Sequence, residues 1–231
     1  MALALYDRGH EVRVLSRHCP MAIDLTDGSG LAAALEGVDA VVEASNGRRR
    51  ELLVDGTARL LAAEAEAGVR HHVAISIVGI ERAPGGYYAL KREQEALVKA
   101  GAVPWTIVRA TQFHPLVDRI LSKPARFGVV PSGAARLQPV DPREVAQVLA
   151  DAVEARPARG TSELAGPEIL TLRELARQWR RANRSRAVPL RVPAPRALRE
   201  GALTSATAPR ATTTFAEWLR ERHAAPAPTR A

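Results

Sequence analysis

The sequence predicts an α/β fold with a doubly wound parallel sheet, and two features of the first 150 residues carry this prediction. Apolar runs of strand length alternate there with segments whose apolar residues recur at helical spacing. Such alternation favours right-handed βαβ units and a parallel sheet that helices cover on both faces. Because ligands bind such sheets at the carboxyl ends of the strands, polar residues at strand ends predict a site. These residues are Ser16–Arg17, Ser45–Asn46, Ser76 and Arg109–Thr111.

Each predicted element follows from its local pattern. The strands are Glu11–Ser16, Asp39–Ala44, Arg70–Ile77 and Trp105–Ala110, which are rich in valine, isoleucine and other apolar residues. The helices are Leu31–Leu35, Arg50–Ala67 and Tyr87–Ala100. Gly68 directly follows the second helix, as glycine often does where a helix ends, because it readily adopts the left-handed conformation.

The character of the chain changes after Leu137. Asp141, followed by Pro142 and Glu144, predicts a capped helix start, so we interpret Asp141 as structural rather than catalytic. Capping boxes at Thr171–Glu174 and Thr214–Glu217 open two further predicted helices in a region rich in arginine and proline. We therefore predict a main domain over residues 1–155, a small C-terminal lobe over 156–223 and a flexible tail over 224–231.

Composition limits the classes of protein that the chain can represent. Apolar residues make up 46% of the sequence, which suffices for a sizeable core. The longest apolar runs have strand length, far below the roughly 20 residues that cross a bilayer, so no membrane association is expected. Cys19 is the only cysteine, which leaves no intrachain disulfide and no cysteine-rich metal site. A cytoplasmic protein without a metal is the expectation.

The net charge of +8 is concentrated near the carboxyl terminus. Residues 171–231 contain 13 arginines against 4 glutamates, whereas the preceding residues are nearly balanced. A basic region of this kind could face nucleic acid or an anionic substrate. The chain also has 30 arginines and only 3 lysines, as a GC-rich coding sequence would produce. Because no aromatic residues alternate with the arginines, we favour the compositional explanation and do not expect nucleic acid as a partner.

Ser76, Tyr87 and Lys91 form the most informative pattern in the chain. Tyr87 and Lys91 are four residues apart, so on a helix their side chains lie on one face. A nearby ammonium lowers the pKa of a tyrosine, which can then exchange a proton with a carbonyl oxygen during hydride transfer. Ser76, at a strand end, would bind the same oxygen. The alternative is that Tyr87 and Tyr88 are ordinary aromatics at a helix start and Lys91 a solvated charge.

Three histidines, His71, His72 and His114, are further candidates for site residues. His114 follows the strand that ends near Arg109, and it either reaches a substrate or is a half-buried loop residue, the reading we favour. The pair His71–His72 stands at a strand start without a metal-ligand spacing, so we interpret it as structural.

Taken together, the chain resembles the atypical short-chain dehydrogenase/reductases, specifically their NmrA-like NAD(P)-binding group. The resemblance runs from about Asp7 to Leu219. Its pieces are RGHEVRVLSR (8–17), DLTDGSGLAAALEGVDAVV (24–42), ISIVGIER (75–82), YYALKREQEALV (87–98), PWTIVRATQF (104–113), LQPVDPREVA (137–146) and ELAGPEILTLRELA (163–176). It implies a Rossmann-like NAD(P)-binding domain over residues 1–155 and a substrate-side lobe over 156–223.

The resemblance also implies roles for individual residues. Ser76, Tyr87 and Lys91 match the active-site serine, tyrosine and lysine, and the lysine also bonds the cofactor ribose. Arg17 matches the end of the strand beside the adenosine ribose, where an arginine favours the 2′-phosphate of NADP over NAD. Asp24 matches a position near the adenine, although a local loop cap is a comparable reading. The remaining implied cofactor contacts are Ala44, Ser45, Asn46, Thr111, Gln112 and Phe113.

The sequence departs from this family at its start. The family opens with a strand and a G-x-x-G-x-x-G turn that receives the pyrophosphate, and the printed chain contains neither. Three explanations stay open: a misassigned start codon, a decayed gene copy, or a fold with a rearranged centre. We expect this 231-residue form to bind NADPH weakly or not at all.

The resulting functional hypothesis is an NAD(P)H-dependent oxidoreductase that acts on a small carbonyl or related substrate. The alternatives are a non-catalytic NADP(H)-sensing regulatory protein and a truncated form with little cofactor binding. A small molecule is the expected substrate. A homodimer or a regulatory protein partner is left open by the sequence.

Overall fold

The computed structural model describes residues 1–16 and 22–224. The helices are α1 Ala2–Tyr6, α2 Leu31–Leu35, α3 Arg50–Leu53, α4 Asp55–Ala67, α5 Tyr87–Ala100, α6 His114–Ala125, α7 Pro142–Glu154, α8 Leu172–Ala182, α9 Arg196–Arg199 and α10 Phe215–Ala224. The strands are β1 Ala40–Glu43, β2 His71–Ile77, β3 Trp105–Ala110, β4 Val129–Ser132, β5 Arg136–Leu137, β6 Gly160–Leu164, β7 Leu170–Thr171 and β8 Val188–Arg191. A 3-10 turn covers Ile80–Arg82.

The main sheet has the strand order β1-β2-β3-β6, and β1 pairs with β2 in parallel. The predicted α/β class with a Rossmann-like parallel sheet is confirmed. Buried Ala74, Ile107 and Val98 pack between this sheet and α5, because β2 and β3 present apolar residues on both faces.

The chain forms two compact units, and each is described separately. The first comprises Met1–Arg109 with Val145–Glu163, and the second comprises Ala110–Glu144 with the chain from Leu164 onward. The boundary that the sequence suggests between a main domain ending at residue 155 and a lobe beginning at residue 156 stays a prediction. In the second unit, β4 pairs with β8 in parallel and β5 with β7 antiparallel. Its core includes Val117, Leu121, Val130, Leu175, Trp179, Phe215 and Leu219.

Two element predictions require correction. The segment Glu11–Ser16 is not a strand: its only ladder contact within the described residues is an isolated bridge between Ser16 and Ala22. A strand needs a hydrogen-bonded neighbour along its length, and the described residues provide this segment with no more than that bridge. The predicted helix Arg50–Ala67 is divided into α3 and α4 at Val54. The turn there brings Gly56 against Leu25, where an added Cβ would lie 3.0 Å from the Leu25 side chain.

The capping predictions are confirmed where they can be checked. Thr171 and Glu174 form a reciprocal capping box at α8, and Thr214 and Glu217 form another at α10. Asp141 accepts a hydrogen bond from the Arg143 backbone at 2.7 Å and is buried, so its role is structural. The predicted tail lies outside the described residues except for Ala224, the last residue of α10.

Candidate active site

The start of α5 and the loop after β1 bring two predicted site residues together in the first unit. The Tyr87 hydroxyl donates a hydrogen bond to Asn46 Oδ1 at 3.0 Å. A cavity of about 600 Å³ adjoins this pair and is lined by Arg48 and residues 85–90. Gly86 precedes α5 with φ of 68°, a left-handed conformation that glycine adopts without strain and that turns the chain into the helix.

Lys91 is in the same helix, but its ammonium is directed into the protein. Lys91 Nζ donates to the Ile75 carbonyl at 2.8 Å and to Gln94 Oε1. The side chain is 4% exposed. Burial lowers the pKa of Lys91, while the carboxylates of Glu43 and Glu95 act to raise it.

The expected tuning of Tyr87 by Lys91 is wrong for this structure. Burial raises the pKa of Tyr87, the neighbouring Tyr88 raises it further, and Arg48 opposes them. The physical reason is that spacing places Lys91 and Tyr87 on one helix face, whereas the hydrogen bonds of the lysine decide where its ammonium points.

Ser76 is buried in β2, at 5% exposure, and its Oγ has no hydrogen-bond partner. Its hydroxyl nevertheless lies close enough to Glu95 to help lower the pKa of that carboxyl. Burial acts to raise the pKa of Glu95, but Arg109, Ser76 and Lys99 outweigh it and bring the pKa to about 2. Among the described residues, Ser76 Oγ thus has no partner with hydrogen-bond geometry beyond this proximity to Glu95, which leaves it able to bond an added oxygen atom.

The other predicted cofactor contacts lie at several places. Ala44 and Ser45 follow β1 directly, and Ser45 Oγ donates to Glu43 Oε1 at 2.7 Å. Asp24 accepts from the Thr26 backbone at 2.8 Å, which is the local loop cap that the sequence also allowed. Arg17 lies outside the described residues.

Thr111, Gln112 and Phe113 belong to the second unit, where each has a structural contact. Thr111 Oγ1 accepts from the Gly166 backbone at 3.0 Å, and Gln112 Nε2 donates to the Leu203 carbonyl at 2.9 Å. Phe113 forms a bridge with Val140 and precedes α6. Their cofactor roles remain predictions.

His114 is fully buried rather than half-buried. Its Nε2 lies 3.1 Å from the Thr213 carbonyl, and its ring packs against Phe215 and Trp218. Burial lowers the pKa of His114. His71 is also structural, since its Nε2 lies 2.9 Å from Thr106 Oγ1.

Sequence reasoning missed a buried polar network behind the site, whose members are Glu43, Thr57, Glu64, His72 and Gln94. Charged or polar residues within apolar segments were the available signal: Glu43 ends the run AVVE, and His72 opens the run HVAI. No group of three or more His, Cys, Asp or Glu suited to a metal ion occurs in the part of the chain that the structure describes. Nor does any helix there have the length and apolarity to cross a bilayer.

Comparisons with known proteins agree with this architecture. The sequence profile of a family described as NAD(P)H-binding matches residues 3–156. A (4-alkanoyl-5-oxo-2,5-dihydrofuran-3-yl)methyl phosphate reductase from Streptomyces griseus subsp. griseus is 34% identical over 160 residues, which are 67% of this chain and 55% of the relative. An uncharacterised protein of Mycobacterium tuberculosis is 29% identical over 187 residues, 74% of this chain and 21% of that protein. The chain thus spans about half or less of these relatives.

Solved structures share the fold at low identity. MoeE5 in complex with UDP-glucuronic acid and NAD superposes with a TM-score of 0.76 at 17% identity, covering 96% of this chain and 94% of that one. The triphenylmethane reductase of Citrobacter sp., complexed with NADP(H), gives 0.70 at 18% identity and covers 96% and 86%. The chain therefore belongs to the NAD(P)H-binding family, as its resemblance to the NmrA-like short-chain dehydrogenase/reductases predicted.

Proposed function

We propose that the chain is an NAD(P)H-dependent oxidoreductase that reduces a small carbonyl or conjugated carbonyl compound, with NADP(H) preferred over NAD(H). One observation carries the proposal: a tyrosine hydroxyl and an asparagine amide converge at 3.0 Å beside an open cavity in a chain of this family. The reductase name of the Streptomyces relative supports the reaction type. Residues 1–155 would form the cofactor domain of a cytoplasmic protein.

The residues on the nicotinamide side fit a bound cofactor. Tyr87 lines the cavity and bonds Asn46, and buried Ser76 Oγ has no partner with hydrogen-bond geometry among the described residues. A bound nicotinamide cofactor would supply the hydride for the reduction.

The chain would contribute proton transfer and orientation. Tyr87, whose raised pKa keeps it protonated at neutral pH, would give its proton to the substrate oxygen. Ser76 would orient that oxygen by a hydrogen bond. Lys91 uses two of its three ammonium hydrogens on Gln94 and the Ile75 carbonyl, so the third would bond the cofactor ribose.

The cavity favours a substrate that carries a negative charge. Arg48 lines it, is exposed, and has no carboxylate within ion-pair distance in the described residues. A guanidinium binds a phosphate group through paired hydrogen bonds. The Streptomyces relative is named for a phosphate ester, which is consistent with this choice.

The test is a Tyr87→Phe variant with Tyr88→Phe as the matched control, since both tyrosines are half-buried and adjacent. Turnover of phosphorylated butenolides and quinones is followed through loss of NADPH absorbance. Tyr87→Phe should abolish turnover and leave NADPH affinity nearly intact, while Tyr88→Phe should retain turnover. Turnover that persists in Tyr87→Phe would reject the assignment.

A second candidate is a non-catalytic NADP(H) sensor that binds a partner protein according to redox state. The orientation of Lys91 favours it, because the ammonium is held by Ile75 and Gln94 rather than near Tyr87. This candidate predicts that the chain binds NADPH but turns over no substrate. It also predicts a protein partner that is captured in the presence of NADP but not of NADPH.

A further inference from the structure

A cluster of ionisable side chains is buried behind the proposed active site. Glu43 ends β1, Glu64 is in α4 and His72 is in β2, with exposures of 4%, 0% and 0%. His72 Nδ1 lies 2.9 Å from both carboxylate oxygens of Glu64, and His72 Nε2 lies 3.4 Å from Glu43 Oε2. The two carboxylates therefore enclose one imidazole.

The protonation of this cluster follows from its geometry. Burial acts to lower the pKa of His72, but the hydrogen bond with Glu64 and the ion-pair contact with Glu43 at 3.4 Å outweigh it and raise the pKa to about 9. Burial acts to raise the pKa of Glu43, yet the nearby His72 and the hydrogen bonds from Thr57 and Ser45 leave it lowered. Burial raises the pKa of Glu64. At neutral pH the cluster thus contains a carboxylate at Glu43 next to a protonated His72.

Glu43 fixes the orientation of Gln94. Gln94 Nε2 donates to Glu43 Oε1 at 2.9 Å and to Thr57 Oγ1 at 2.9 Å. An ionised carboxylate can only accept, so the amide nitrogen must face Glu43 and the amide oxygen must face the other way. That oxygen accepts a hydrogen bond from Lys91 Nζ. A chain of contacts therefore runs from His72 through Glu43 and Gln94 to Lys91.

The charges around Lys91 come from several elements. They are Glu43 on β1 and Glu95 on α5 and, behind these, His72 on β2, Glu64 on α4 and Arg109 on β3. Glu95 is already paired with Arg109 at 2.7 Å and with Lys99 at 3.0 Å. Glu43 is therefore the carboxylate whose charge is linked to Lys91 by a hydrogen-bonded path.

We propose that Glu43, held by His72 and Thr57, is a positioning residue that orients Gln94 and thereby fixes the place and the charge of the Lys91 ammonium. The proposal rests on the proposed function, in which Lys91 serves the cofactor. It differs from a purely stabilising network in one respect: removing the Glu43 charge has to change Lys91 itself, not only the free energy of unfolding.

The chain offers a direct readout, because it contains only three lysines, Lys91, Lys99 and Lys123. Protein labelled with ¹⁵N at the lysine side-chain nitrogen gives three signals, which single Lys→Arg variants assign. In Glu43→Gln we expect the Lys91 titration midpoint to move to lower pH and hydrogen exchange of its ammonium to accelerate. The matched control is Glu66→Gln, an equal charge change at an exposed residue of α4, which should leave the Lys91 signal unchanged.

A second variant decides the question if Glu43→Gln does not fold. Gln94→Leu keeps every charge but removes the acceptor of Lys91, so hydrogen exchange at Lys91 should accelerate there too. The proposal is overturned if a folded Glu43→Gln shows the wild-type titration midpoint and the wild-type hydrogen-exchange rate at Lys91. It is also overturned if a folded Gln94→Leu shows the wild-type hydrogen-exchange rate at Lys91.

NADPH titration of the same proteins separates this inference from the proposed function. Glu43→Gln should weaken NADPH binding roughly tenfold, the cost of about one charge-assisted hydrogen bond. A wild-type chain that binds no NADPH would refute the proposed function, while the Lys91 titration, measured without cofactor, would still decide the role of Glu43.

Discussion

Raising the pH from 6 to 9 should destabilise the protein through His72, and the structure sets the size of the effect. The pKa of His72 is about 9 in the folded chain against 6.5 for an ordinary histidine. A folded pKa above the unfolded value stabilises fully below pH 6.5, and this contribution is lost as pH rises through 9. At about 1.36 kcal/mol per pH unit, the contribution is about 3 kcal/mol.

The assay is urea unfolding at intervals from pH 6 to pH 9 on wild type, His72→Gln and His71→Gln. Wild type should lose about 3 kcal/mol of unfolding free energy across this range, a large part of a typical 5–15 kcal/mol. His72→Gln should start lower, because two buried carboxylates lose their partner, and should lack the loss of unfolding free energy that is centred near pH 9 in wild type.

His71→Gln is the matched control. His71 is also buried and is adjacent in β2, but burial lowers its pKa, so its contribution to stability does not change above pH 6.5. This variant should show the wild-type dependence on pH. Parallel curves for wild type and His72→Gln would refute the reasoning, because His72 would then not be held protonated by Glu43 and Glu64.

Three further predictions concern packing, capping and acid stability. Gly166→Ala should destabilise by about 1–3 kcal/mol in thermal unfolding, because an added Cβ would lie 1.8 Å from the Pro139 carbonyl oxygen, whereas Gly85→Ala, which meets open space, should be nearly neutral. Thr171→Ala should cost about 1 kcal/mol in urea unfolding, since the capping box of α8 is lost, and no change would contradict it. The lowered pKa of Glu95 stabilises above pH 4.5 and is lost towards pH 2, so Glu95→Gln should show a smaller loss of unfolding free energy than wild type between pH 4.5 and 2.5; equal losses would disprove it.

The sequence predicted the elements whose pattern is strictly local. Tyr87–Ala100 has the predicted bounds, because its apolar spacing and the flanking Gly86 and Gly101 determine a helix without reference to distant residues. Glu11–Ser16 failed for the opposite reason: a strand depends on a neighbour, and its own residues do not reveal whether one is present.

The candidate site was predictable only in part. Asn46 was expected at a strand end and Tyr87 at a helix start, both as site residues, and the structure joins them by a hydrogen bond. The cluster of Glu43, Glu64 and His72 was not predictable, since its members come from three elements and only tertiary packing brings them together. The direction of the Lys91 side chain depends on the same packing, so its spacing from Tyr87 could not reveal it.

Fluorescence titration of this chain with NADPH, with Lys91→Ala and Tyr87→Phe alongside, tests the central claim most directly. The proposed function predicts saturable binding of NADPH. Binding should be weakened by Lys91→Ala, which removes the proposed ribose anchor, and nearly unchanged by Tyr87→Phe. The proposed site would be contradicted if NADPH did not bind saturably, or if the NADPH affinity of Lys91→Ala equalled that of wild type.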